Sequence, residues 1–271
     1  MLLKDIKCPN CDAYHDPTLK QCPDCHKDNE LFGINRLPKR VLFLSPVAQL
    51  GLFLTGFAYA GMLILQLVVA LFAGLFAGES GQSNNVAIIS VVYILMFIGL
   101  ALITLSARRK QVFDCYKSGI DYIYGVAYAV TIIFVETLLG TIISLFHNTA
   151  DNANQLVAIE MANNYPILAV FILVLIGPIC EELTYRVGLF SFLRRINKYL
   201  AFVITVLVFA FIHFSFDSNN IANELWALPS YLACGFVLTL AYEHRGPACS
   251  MTAHICYNLV AFILMLVEAN G

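Results

Sequence analysis

The sequence predicts an all-α, polytopic transmembrane helix bundle of seven to eight spans, with a small metal-bound module at its N-terminus. Three observations carry that expectation. The 271-residue chain is 59% hydrophobic and only 13% charged, with a mean hydropathy of +0.76; a soluble domain cannot hide that much apolar surface. Its apolar runs reach the roughly 20 residues that a helix needs to cross hydrocarbon. Four of its nine cysteines fall within the first 25 residues, far from those runs. A formal net charge of −2 argues against nucleic acid as a partner. The charged opening Met1–Lys7 is not followed by an apolar h-region, so it does not read as a secretory signal.

Residues 1–30 are expected to form one unit. Cys8-Pro-Asn-Cys11 and Cys22-Pro-Asp-Cys25 are two Cys-x-x-Cys knuckles, ten residues apart. Four thiolates at that spacing can close a tetrahedron around structural zinc. The segment has few apolar residues, so metal binding would have to supply its folding free energy. It resembles the short bacterial zinc ribbon. Two disulfides are the alternative, disfavoured by the reducing side of the membrane assigned below. His15 and His26 are spare ligand types, but four cysteines complete a closed site, which points to a structural or docking role toward a cytoplasmic partner. Cys115, Cys180, Cys234, Cys249 and Cys256 read as small packing residues. Residues 31–45 form a linker, in which Leu31, Phe32, Ile34, Leu37 and Val41 suit either a lipid interface or a plain tether.

Residues 46–271 are the membrane domain. Apolar runs lie near 46–77, 86–106, 120–147, 166–190, 199–216, 226–243 and 248–267. Gly51, Gly56 and Gly61 give the long first run places to bend or pack closely. Lys39 and Arg40 precede the first run. Arg108, Arg109, Lys110 and Lys117 follow the second, Arg194, Arg195 and Lys198 the fourth, and Arg245 the sixth. The intervening loops 78–85, 148–165 and 217–225 hold no Lys or Arg, only Glu79, Asp151, Glu160, Asp217 and Glu224. The positive-inside rule then makes this a multi-pass cell-membrane protein with the N-terminus cytoplasmic and Gly271 outside. The loop 148–165 suggests a short surface helix, and Trp226 with its neighbouring tyrosines an interfacial anchor.

Ionisable residues inside hydrocarbon are expensive and therefore informative. The fourth run carries Glu181, Glu182 and Arg186. Glu182 and Arg186 are four apart, acid first, so they share a helix face as an ion pair; Glu181 points about 100° away. Gly177-Pro178 should kink the helix and free a carbonyl. The fifth run carries His213, and the last carries His254 and Asn258, again four apart. At 1.5 Å per residue, Glu181 lies roughly 20 Å from Arg194, His213 roughly 22 Å from Lys198, and His254 and Asn258 roughly 13 and 19 Å beyond Arg245. Three helices thus bring a carboxylate, two imidazoles and an amide to comparable depth. Such a set can activate water: a carboxylate in a low-dielectric site serves as general base, and imidazole and amide N–H groups stabilise a tetrahedral oxyanion. A catalytic metal held by Glu and His is the rival arrangement. Glu136, also within a span, suits packing or cavity lining; His147 and His244, near span ends, read as solvated.

Glu181-Glu182-Leu-Thr-Tyr-Arg186, Phe209-x-x-x-His213 and His254-x-x-x-Asn258 resemble the three motifs of the CAAX protease and bacteriocin-processing (CPBP, or Abi) intramembrane proteases, over roughly residues 120–267. Tyr242-Glu-His-Arg-Gly246 also fits their pattern, whereas the usual Gly after the motif Arg is Val187 here, with Gly188 next. The resemblance implies an endopeptidase acting on membrane-associated proteins or on secreted-peptide precursors such as pheromones or bacteriocins. It implies that Glu181 activates water, His213 assists, His254 and Asn258 form the oxyanion hole, and Glu182 with Arg186 supports the site. A non-catalytic membrane binding or immunity protein of the same fold, or a transporter, are the other classes.

Overall fold

The computed structural model describes residues 6–8, 10–15, 19, 21–28, 44–60, 81–147, 152–215 and 221–270. The N-terminal unit holds two short antiparallel strands, β1 (Ile6–Lys7) and β2 (Tyr14–His15), with Ile6 opposite His15. The two cysteine knuckles are the same turn built twice. Cys8 N–H donates to Ala13 O and Cys22 N–H to Lys27 O, each at 2.9 Å; Asp12 N–H donates to Cys8 O and His26 N–H to Cys22 O. Asp12 and His26 close these turns at φ 62° and 56°, the left-handed region that Asp and His tolerate better than most residues. The interfacial reading of 31–45 falls almost wholly outside the described residues, as does the stretch 61–77 of the first apolar run.

Eight helices follow among the described residues: α1 (Pro46–Ala60), α2 (Gly81–Asp114), α3 (Gly119–Ser144), α4 (Ala153–Asn164), α5 (Pro166–Arg194), α6 (Lys198–Ile212), α7 (Ile221–Arg245) and α8 (Pro247–Asn270). Five of them, α2, α3, α5, α7 and α8, are long and apolar enough to cross a membrane; α1 and α6 are apolar but only 15 residues each. The expected seven to eight full spans are therefore fewer among the described residues. A 15-residue helix spans only about 22 Å. The surface helix expected in 148–165 is α4, whose capping box joins Asn152 and Gln155.

The core gathers Leu52, Leu100, Val187, Phe190 and Tyr242 from α1, α2, α5 and α7. A second cluster packs Met161 and Ile172 against Phe262. Outward positions such as Leu102, Phe134 and Val267 are more than 60% exposed, as lipid-facing side chains are.

Helix α5 departs from the expected simple kink. Val170–Ile176 and Glu182–Phe190 are π-helical, separated by the regular turn Gly177–Glu181. Gly177 N–H donates five residues back, to Ile172 O. Pro178 follows at the start of the regular turn, where its missing N–H is tolerated. The second wide stretch packs against α1. A Cβ on Gly188 would lie 2.8 Å from Phe53 N and 3.1 Å from Gln49 O, so Gly188 is the point where two backbones meet. Arg195 fastens the same helix pair, donating from Nε to Gln49 Oε1 and from Nη2 to Leu44 O, both at 2.9 Å.

Candidate active site

Glu181 ends the regular turn of α5 and Glu182 opens the wide one, so the two carboxylates diverge. Glu182 turns inward and is fully buried. Its Oε1 is 3.0 Å from Arg186 Nη1 and 3.0 Å from His254 Nδ1. The Arg186 contact is a charge contact and not an aligned hydrogen bond, since Nη1 has no hydrogen-bond acceptor. Arg186 Nη2 instead donates to Gly235 O at 3.3 Å, and its Cζ lies 4.3 Å from the centre of the Phe209 ring.

Glu181 keeps a 15% exposed side chain. Its Oε2 is 3.8 Å from His213 Nε2 and 3.8 Å from His254 Nε2. The far nitrogen of each ring is held. His213 Nδ1 is 2.8 Å from Phe209 O; a carbonyl only accepts, so Nδ1 carries a proton and Nε2 is turned toward Glu181. His254 Nδ1 faces the Glu182 carboxylate at 3.0 Å. A gap of 3.8 Å exceeds a direct hydrogen bond and suits a shared water.

His213 lies just beyond the end of α6, at φ −90° and ψ −4°, not inside a helix as its apolar run suggested. Its bond to Phe209 O satisfies one of the carbonyls a helix end leaves open. Asn258 lies a turn beyond His254 on α8, and its Nδ2 donates to Leu173 O at 2.8 Å. The structure thus brings Glu181, Glu182, Arg186, His213 and His254 into one contact network and gives Asn258 a partner on the backbone of α5.

Two residues at this site had no role in the sequence reading. The Phe209 ring touches four others: Arg186, His213 with centroids 4.8 Å apart, Tyr185 at 5.8 Å and His254 at 6.1 Å. Tyr231 stacks on His213, 4.8 Å away at an interplanar angle of 21°. Its hydroxyl meets Asn152 and Asn154, which lead into α4. Phe209 stands four residues before His213 in the quoted motif, whereas Tyr231, 18 residues beyond His213, leaves no spacing that a sequence could show. Glu136 stands apart, half-buried and hydrogen-bonded to Ser230. His147 and His244 are not simply solvated. His147 stacks on Trp226 and bonds Asn223 Oδ1 at 2.8 Å, and His244 bonds Tyr128 Oη at 3.0 Å.

The second candidate centre is the N-terminal unit. The sulfurs of Cys8, Cys11, Cys22 and Cys25 lie within 4.8 Å of one another, with Cys8–Cys25 and Cys11–Cys22 at 3.6 Å. A zinc tetrahedron with bonds of about 2.3 Å has edges of about 3.8 Å, so the donor set fits a metal such as zinc. The backbone of Lys27 and the side chain of Asn10 hold the Cys25 thiol down at about 6. His26, exposed and in the left-handed turn, is not part of the cluster.

Residues 163–260 match the sequence profile of the type II CAAX prenyl endopeptidase Rce1-like family. The UPF0177 protein YvdC of Lactococcus lactis subsp. lactis (strain IL1403) is 27% identical over 193 residues, covering 69% of this chain and 70% of that protein. An uncharacterized protein of Mycoplasma capricolum subsp. capricolum is 26% identical over 237 residues, 79% of this chain and 68% of its own length. The UPF0177 protein YxdF of the same Lactococcus strain is 30% identical over 120 residues, 44% of this chain and 57% of that protein. No solved structure matches. The profile match spans all six motif residues from Glu181 to Asn258 and leaves the cysteine module outside it. Over residues 163–260, this membrane protein is related to the type II CAAX prenyl endopeptidase Rce1-like proteases, and its N-terminus carries a four-cysteine cluster.

Proposed function

We propose that the protein is an endopeptidase in which Glu181 activates water for attack on a peptide bond within the membrane. The observation that carries this reading is the position of Glu181 Oε2, 3.8 Å from the Nε2 atoms of two histidines on two other helical segments. A water held between Glu181 and His213 gives its proton to the Glu181 carboxylate as its oxygen attacks the carbonyl carbon. The carbonyl oxygen becomes an oxyanion. His254, with Nδ1–H on Glu182, donates through Nε2 as an imidazolium, and the buried Glu182–Arg186 pair fixes that ring. The Asn258 hydrogen not used on Leu173 O is the second donor. Glu181 then passes its proton to the leaving amine, and the peptide bond breaks.

The substrates we propose are membrane-associated proteins or precursors of secreted peptides such as pheromones or bacteriocins. The distribution of Arg and Lys supports a cytoplasmic N-terminus and ribbon, with Gly271 outside. The ribbon is proposed to hold zinc and to offer a docking surface to a cytoplasmic partner.

A second reading is favoured by the tethering of both imidazoles, each held at one nitrogen by an acceptor while the other faces Glu181, as metal ligands commonly are. Glu181, His213 and His254 would then hold a divalent ion, which supplies a Lewis acid and an activated water.

Mass spectrometry of candidate precursor peptides incubated with purified wild type and Glu181→Gln tests the reading. Loss of a general base lowers turnover by about 10²–10⁴-fold. Glu181→Gln should be folded and inactive. Cleavage by Glu181→Gln within about threefold of wild type would remove Glu181 as the general base, and no cleavage by wild type would leave the protein as a non-hydrolytic binding or immunity protein.

A further inference from the structure

Asn258 is the last motif residue, yet its amide is directed at a backbone carbonyl of another helix. The register of α5 explains why that carbonyl is available. Across Val170–Ile176 the backbone bonds run five residues back, ending with Gly177 N–H on Ile172 O. The next carbonyl in that register is Leu173 O, and the next donor is residue 178. Residue 178 is a proline and has no N–H. Pro178 is buried, and in a lipid-facing bundle no bulk water is present to satisfy the carbonyl. Asn258 Nδ2 donates to Leu173 O at 2.8 Å. Glu181 lies three residues beyond Pro178, on the short turn that this gap introduces.

We infer that Asn258 is a positioning residue: it replaces the hydrogen bond that Pro178 cannot make and holds α5 in the register that aims Glu181 at the two histidines. The inference deepens the proposed hydrolytic reading and rests on it only for the consequence on turnover. It also gives the paired motif residues of α8 a further duty each: His254 meets the two carboxylates, and Asn258, beside its remaining hydrogen for the oxyanion, meets the backbone that carries them.

The test is a double-variant cycle in which residue 178 regains its N–H. Asn258→Leu removes the donor at similar volume; Pro178→Ala restores a backbone donor opposite Leu173 O. Thermal unfolding in lipid nanodiscs and kcat on a cleaved peptide are both measured for wild type, each single variant and the pair. Asn258→Leu alone should lower the folded-to-unfolded ratio about three- to twenty-fold, the range of an interhelical hydrogen bond in a membrane. In the Pro178→Ala background most of that loss should vanish, and kcat should recover at least tenfold relative to Asn258→Leu alone. Equal losses in both backgrounds overturn the clamp. Recovered stability with no recovery of kcat overturns the positioning role and leaves Asn258 to direct chemistry. Pro178→Ser, which also restores the N–H, replaces Pro178→Ala if that variant does not fold. Glu181→Gln, run in parallel, separates the two ideas: full turnover by that variant refutes Glu181 as the base, while the stability cycle still reports on the clamp.

Discussion

Replacing Glu182 by Gln strips a buried guanidinium of its counter-charge. Glu182 and Arg186 are both 0% exposed, with their charged atoms 3.0 Å apart. Removing one partner of a buried pair costs about 3–5 kcal/mol, because the other charge stays in a low-dielectric interior without compensation. Arg186 retains Gly235 O at 3.3 Å and the Phe209 ring at 4.3 Å, and Gln keeps one carbonyl oxygen. The expected loss therefore sits at the low end, about 3 kcal/mol, a roughly 150-fold fall in the folded-to-unfolded ratio. At about 2–4 °C per kcal/mol for a chain of this size, melting should drop by roughly 6–12 °C. Thermal unfolding of the purified protein in micelles measures it. The double variant Glu182→Leu/Arg186→Met removes both charges and should return to within about 1 kcal/mol of wild type. Peptide cleavage should not return, because His254 Nδ1 has lost its acceptor. A Glu182→Gln melting point within about 2 °C of wild type, or a double variant no more stable than the single one, refutes the argument that this pair is a coupled, desolvated unit.

Two further outcomes are expected. Purified protein should carry one equivalent of zinc per chain by elemental analysis, lost in Cys8→Ser and Cys22→Ser and on acidification, as protons compete with the metal for the thiolates; a second equivalent that disappears in His213→Ala would instead favour the metal-bound reading of the Glu181 site. Gly188→Ala should destabilise the bundle by about 1–3 kcal/mol, because its Cβ would sit 2.8 Å from Phe53 N, whereas Gly51→Ala, with nothing within 4 Å, should be neutral or mildly stabilising in the same melting assay.

The sequence and the structure meet at some points and part at others, for physical reasons that can be named. Intramembrane charge is costly enough that Glu181, Glu182, Arg186 and the two histidines stand out from composition alone. Counting helical rise from the basic anchors was enough to bring them to one depth, and four-residue spacing was enough to pair Glu182 with Arg186. The depth argument holds because it uses distance along an axis, which small changes of winding barely alter. Angular position is less forgiving. The Gly177-Pro178 pair announced a local fault in α5, but not that the fault would take the form of two wide stretches, since these form only where packing against α1 and α8 repays the poorer hydrogen bonding. The end of α6 at Ile212 was hidden for the opposite reason: Phe214 continues the apolar pattern, and only the side-chain bond of His213 to Phe209 O marks the stop.

The same distinction sets what Asn258 could reveal. An amide four residues from His254 predicts a shared face of α8, and a donor there could serve an oxyanion or a backbone equally well. Choosing between them needs the register of α5, because Leu173 O lacks a backbone partner only if the bonds before it run five residues back. A four-residue register would instead have exposed Val174 O to the same proline. One extra residue in the winding of α5 therefore decides which carbonyl is left open. That carbonyl and its donor lie 85 positions apart in the chain, and the carboxylate they help to hold belongs to neither of them.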